Sequence, residues 1–204
     1  MTRLAAVLLF LSAVAWSQTQ TQTKTQTQAS RTVPGVLEKG ASEWGAFVGG
    51  GTGFGKRSGT QFAFVGGRWG RVLTAEHGPG WLRGNFEYKI AVFPFVAFLQ
   101  PPVNSYGVEF KPVNLAWNFR GNRRVKPYVE LGGGLLLTTH DIPVNTNNVN
   151  FSPQGGAGFH FFTAARRAIT LETFYKHVSN AGLERRNAGI NAALQLTLGY
   201  TWFH

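Results

Sequence analysis

The last stretch of the chain alternates strictly. Ile190, Ala192, Leu194, Leu196, Leu198, Tyr200 and Trp202 occupy one set of positions, and Asn191, Ala193, Gln195, Thr197, Gly199 and Thr201 the other. A period of two sends the two sets to opposite faces of a β-strand. An apolar face backed by a polar or small one suits the wall of a soluble lipocalin-like barrel. It also suits a transmembrane barrel strand, which faces lipid on one side and the lumen on the other and crosses in about ten residues. Turn chemistry divides the preceding chain into further segments of strand length, at residues 44–53, 61–72, 81–93, 106–119, 126–138, 152–163 and 168–180. With 190–203 this predicts eight strands. Pro94 makes the end of the third ragged and Pro112 interrupts the fourth. No stretch of this body shows helical periodicity, and 26 glycines oppose one.

Three features favour the membrane. Trp44, Trp69, Trp81, Tyr106, Tyr175, Tyr200 and Trp202 fall near strand ends, where interfacial girdles lie. The final strand closes on Tyr200-Thr201-Trp202-Phe203, like the aromatic last strand of exported barrels, although His204 follows. With both ends of an even-stranded barrel in the periplasm, the connections after strands two, four and six should be short, and the polar run 140–148 falls outside. The predicted fold class is therefore all-β, an eight-stranded antiparallel transmembrane barrel of the outer-membrane type. Its domain spans residues 38–204.

The N-terminus fits export. Arg3 precedes the apolar run Leu4–Leu11 and Ala13-Val14-Ala15 offers a small-x-small cleavage pattern, so residues 1–15 read as a signal peptide. Residues 16–37, alternating Thr and Gln over much of their length, read as a disordered spacer. The absence of cysteine excludes disulfides and thiolate metal sites, which suits a bacterial envelope protein. Twenty Lys and Arg against nine Asp and Glu, a formal charge of +11, favour anionic partners. For an exported chain, phosphate-bearing lipid suits this excess better than nucleic acid.

Several motifs carry less than they suggest. Gly49-Gly50-Gly51-Thr52-Gly53-Phe54-Gly55-Lys56 lacks the Ser or Thr that follows a P-loop lysine, and Arg57 stands there. Strand glycines bending into a hairpin explain it better. The pairs Glu76-His77 and His140-Asp141 lack a third ligand at metal-site spacing and read as loop residues. Glu87, Glu109, Glu130 and Glu172 lie on different strands, and in a small barrel such carboxylates face inward and pair with lumen Lys or Arg.

The chemistry-bearing stretch joins the last two strands. His177 and Ser179 share one strand face, close enough for the imidazole to take the hydroxyl proton. His177-Val178-Ser179-Asn180-Ala181-Gly182, with Asn187-x-Gly189-Ile190 and the Leu198-Gly199-Tyr200 strand following, resembles the C-terminal signature of the outer-membrane lipid A 3-O-deacylases. The resemblance is specific over 171–203 and architectural elsewhere. It implies an exterior, lipid-facing active site and an esterase that removes the 3-linked acyl chain of lipid A in lipopolysaccharide, without cofactor or metal. Residue by residue, Ser179 matches the nucleophile and His177 the general base. Asn180 matches an oxyanion-site residue, with the Gly182 N–H as a second donor, and Asn187 a loop asparagine near it. The family's third triad member is a Glu twelve residues after the serine, and here that position is Asn191. An Asn orients an imidazole without stabilising its charge; Glu184 is the alternative acid. Plain alternation sets Asn191 on the lumen-side face and His177 on the lipid side, and a bulge near Gly189 would reconcile them. The competing function is a non-catalytic outer-membrane barrel with a structural or adhesive role.

Overall fold

The fold is seen in a computed structural model that describes residues 36–54, 59–183 and 189–204. The expected signal peptide, the spacer apart from its last two residues, Lys56 and Arg57, and the site positions Glu184 and Asn187 lie outside the described residues. Of Asn191, the backbone alone is described.

Alternating segments rich in β-branched and aromatic residues become strands because each can bury one face and present the other to hydrocarbon. They are β1 (Ser42–Gly53), β2 (Gln61–Val72), β3 (Gly84–Leu99), β4 (Ser105–Phe119), β5 (Val125–Thr138), β6 (Val149–Phe151), β7 (Gln154–Ala164), β8 (Arg167–Val178) and β9 (Ile190–Phe203). All pairings are antiparallel, and the contacts of β1 with β9 and of β4 with β5 close the ring. β6 and β7 pair with the same strand, through Leu135↔Phe151 and Gly132↔Gln154, and form one stave broken at Ser152-Pro153. The result is a closed barrel of eight staves. Closure leaves no strand edge unpaired, as hydrocarbon surroundings require.

The expected strand bounds shift where proline intervenes. β3 does not end before Pro94 but runs through it to Leu99, and Pro112 does not interrupt β4. Both prolines sit at register shifts, between Phe93 and Val96 and between Phe110 and Val113, where a missing N–H costs no ladder bond. Trp81 is not in β3. It lies in a 3₁₀ turn at Gly80–Leu82 and is 82% exposed.

We call the rim where β1 begins and β9 ends the near rim. Its connections at 120–124 and 165–166 are tight, as expected. The one at 73–83 is longer and is held by a bridge between His77 and Gly84.

Outside, Leu194, Leu196 and Leu198 belong to a continuous apolar band with Val113, Leu131, Phe159 and Leu171, all exposed. Inside, Glu87, Glu109, Glu130 and Glu172 are all buried, as expected, and Glu43 joins them. Arg68 lies 2.5 Å from Glu172 and 3.4 Å from Glu43. Lys89 sits between Glu87 and Glu130 at 3.5 and 3.4 Å, and Lys176 donates to both oxygens of Glu109 at 2.7 and 2.9 Å. Toward the far rim the filling turns apolar, with Phe62, Phe64, Phe93, Phe98, Leu136, Val178 and Ile190 in one cluster. The barrel is thus a packed body without an open channel through these layers.

Candidate active site

His177 and Ser179 stand at the far-rim end of β8. Val178 between them is 1% exposed and packs in the lumen cluster. Alternation therefore turns His177 and Ser179 outward, on the face that carries Ile169, Leu171 and Tyr175. Two residues apart on extended chain, their side chains leave the backbone roughly 6.7 Å apart. An imidazole is long enough to reach a hydroxyl across such a gap. His177 is half-buried and Ser179 is 8% exposed, so the pair is shielded although it lies on the outer wall.

Both flanks of this segment are irregular. On one side, the His177 N–H donates to the Pro153 carbonyl at 2.9 Å. Ser179 and Phe151 exchange both backbone hydrogen bonds, at 3.0 and 2.7 Å. The break at Pro153 thus supports the backbone of both candidate residues. On the other side, Lys176 pairs with Ala193 but Val178 pairs with Ile190. One residue, His177, faces two, Asn191 and Ala192. This is the bulge that plain alternation required, centred opposite His177 and just after Gly189. It corrects one expectation: Ile190 is not on the lipid-facing side with Leu194 but buried in the lumen, because the extra residue inverts the faces on its far side.

Beyond Ser179 the chain turns sharply. The Asn180 side-chain Oδ1 accepts the Gly182 N–H at 3.0 Å, and its carbonyl accepts the Leu183 N–H at 3.0 Å. Ala181 and Gly182 have φ of 53° and 81°, left-handed values that glycine meets without strain. The Asx turn changes one assignment. The Gly182 N–H is engaged by Asn180 in this state rather than aimed at a substrate. With Oδ1 held in the turn, the donor end of the Asn180 amide is Nδ2.

Sequence reasoning found the segment but not its supports. Phe151 and Pro153 act through backbone atoms, which leave no side-chain signature. Pro153, inside the predicted sixth strand, marks this break, although Pro94 and Pro112 lie in strands that run through them.

A profile of the lipid A 3-O-deacylase (PagL) family matches residues 66–201. The chain belongs to that family. The match covers β3 to β8 completely and most of β9, so it takes in the His177–Gly182 segment. Among solved structures, the outer membrane enzyme PagL is similar at 18% identity and a TM-score of 0.50, covering 78% of this chain and 98% of its own. The N-terminal β-barrel domain of Pseudomonas aeruginosa OprF is similar at 15% identity and a TM-score of 0.50, covering 81% and 98%. At such identities these two likenesses show the fold alone, an outer-membrane barrel. No curated protein matches the sequence.

Proposed function

We propose that this protein is an outer-membrane esterase that removes the 3-linked acyl chain of lipid A, with Ser179 as nucleophile and His177 as general base. The observation that carries the reading is the bulge opposite His177. It occurs where the family signature puts its catalytic residues, and there Asn191 stands against the imidazole-bearing residue. His177 takes the proton from Ser179 Oγ, which attacks the ester carbonyl. Asn180 Nδ2 donates to the oxyanion that forms. The tetrahedral species collapses, and the imidazolium returns its proton to the departing 3-hydroxyl of lipid A. Water then attacks the acyl-enzyme with His177 again as base, and the fatty acid leaves. Asn191 orients the imidazole, with Glu184 as the alternative acid and Asn187 near the oxyanion. Tyr175, 56% exposed and two residues before His177 on the same face, fits an interfacial girdle. A serine at the boundary of acyl chain and headgroup agrees with this reading. The reading takes the near rim as periplasmic and the far rim as facing lipopolysaccharide.

The test is to give the purified, folded protein lipid A in detergent and read the products by mass spectrometry. Loss of one 3-linked acyl chain, abolished in Ser179→Ala and in His177→Ala, is expected. Absence of release where a control deacylase works would overturn the assignment. It would leave the second reading, a non-catalytic barrel, which the Asn at position 191 favours.

A further inference from the structure

The positive charge of the chain is unevenly placed. The lumen is close to neutral, with four basic and five acidic side chains. The near rim and its turns carry nine Lys and Arg against two acids, Glu38 and Glu76. Among the described residues the basic excess therefore lies at the end of the barrel away from His177 and Ser179, and the proposed reaction does not use it.

One sector of this rim is built differently from the rest. Cross-strand partners Arg167↔Trp202, Trp202↔Trp44, Trp44↔Trp69 and Trp69↔Ile90 form a single lateral row over five adjacent strands. Arg71 lies two residues from Trp69 on the same face and is exposed, as is Arg167. On the membrane side of this row the wall is scooped out. Ala46 and Gly67 supply little side chain there, and the register shift at Gly66 sets Pro94 beside them. The resulting groove, about 740 Å³, is bounded by Trp44, Trp69, Trp202, Ile90, Val92 and Pro94. Along β2, the furrow at Gly67, the Trp69 indole and the Arg71 guanidinium follow one another toward the rim. That is the order of an acyl chain, a glycerol ester region and a phosphate.

We propose that this sector binds an anionic glycerophospholipid of the near-rim leaflet, with one acyl chain in the furrow over Gly67 and its phosphate at Arg71, while Arg167 at the other end of the indole row adds to the positive potential. Guanidinium groups suit phosphate through paired N–H donors, and the indoles suit the interfacial depth between. The leaflet named rests on the orientation given under the proposed function. The lipid preference does not, because both rims meet the same lipid in a symmetric vesicle.

The test uses the full chain in phosphatidylcholine vesicles containing a minor fraction of phosphatidylglycerol or phosphatidylcholine brominated on its acyl chains, with tryptophan fluorescence as the readout. Brominated phosphatidylglycerol should quench more strongly at equal mole fraction, with relative binding raised about fivefold per contributing arginine. High salt should reduce that advantage. Arg71→Gln combined with Arg167→Gln should remove most of it while leaving quenching by brominated phosphatidylcholine unchanged. Gly67→Leu should lower quenching by both lipids. A Cβ at Gly67 meets nothing nearer than the Gly45 carbonyl at 3.6 Å, so the larger side chain fills the furrow and leaves the lumen intact. Heat-modifiable electrophoretic mobility verifies the fold of each variant. Equal quenching by the two lipids in the wild type, or a preference that survives the double arginine substitution, overturns the headgroup assignment. An unchanged signal in folded Gly67→Leu overturns the furrow. None of these readouts depends on deacylation.

Discussion

Ser179 and Phe151 are tied by both of their backbone hydrogen bonds, at 2.7 and 3.0 Å, across the break that Pro153 makes between β6 and β7. The candidate nucleophile is thereby anchored on the side where the barrel wall is interrupted. On its other side the ladder to β9 bulges opposite His177. A serine just past the end of a strand, held by Phe151 on one side and lying beyond the last pair with β9 on the other, has a fixed backbone and a shielded side chain.

The oxyanion assignment makes a sharp demand on Asn180. Asp at this position keeps the acceptor that receives the Gly182 N–H and so keeps the turn, but it loses the Nδ2 donor and adds charge. Asn180→Asp should lower kcat by about 10² to 10³, the usual cost of one oxyanion donor, and, with residue 180 only 1% exposed, should also lower stability. Steady-state kinetics on lipid A, with circular dichroism as a folding control, check this. A variant with unchanged kcat would remove Asn180 from the mechanism.

Position 191 stands opposite His177 by backbone register, and under the proposed mechanism an Asn there would orient the imidazole without stabilising its charge. Asn191→Glu should therefore raise kcat, by about tenfold or more given the several powers of ten that a triad carboxylate contributes elsewhere. If Glu184 supplies the acid instead, Glu184→Gln should lower the rate and Asn191→Glu should change it little. Measuring both variants on one substrate separates the two arrangements.

Arg68 is buried among three carboxylates, Glu43, Glu130 and Glu172, at 3.4, 3.8 and 2.5 Å. Tyr128 donates to the same Glu172 oxygen. Removing the guanidinium strands buried negative charge. Arg68→Met should destabilise the barrel by about 3 to 5 kcal/mol, the typical cost of breaking a buried ion pair from one side. Urea unfolding from lipid vesicles, followed by tryptophan emission, measures it.

Leu131 lies midway along β5 and is 71% exposed, in the apolar band. In a bilayer, Leu131→Arg should cost about 2 to 4 kcal/mol, the penalty for a cation near the midplane on a barrel's lipid face. The same unfolding assay applies. In a water-soluble carrier this exposed substitution would be close to neutral, so the sign and size of the effect distinguish the two settings.

Much of this molecule was legible along the chain. A period of two in β9 named the lipid-facing leucines, and isolated carboxylates on separate strands named the lumen, because alternation and the cost of burying charge are local rules. Proline was the misleading signal. Pro94 and Pro112 look like strand ends, but a closed barrel accommodates them at bulges, and whether a neighbouring strand offers a bulge is not written at the proline itself.

The sequence by itself determined the all-β class, the eight staves, the inward carboxylates and the outward direction shared by His177 and Ser179. Each of these follows from residue type and spacing within one segment. Only the tertiary structure decided that β9 gains a residue opposite His177, which carries Ile190 into the lumen and sets Asn191 against the imidazole-bearing position. It alone revealed that Pro153 and Phe151 support the site through backbone bonds. It also placed the basic excess of the described residues at the rim remote from the site. The physical reason is common to all three: register, strand breaks and the grouping of loops at one rim are relations between segments far apart in the chain, fixed when the staves pair around the ring.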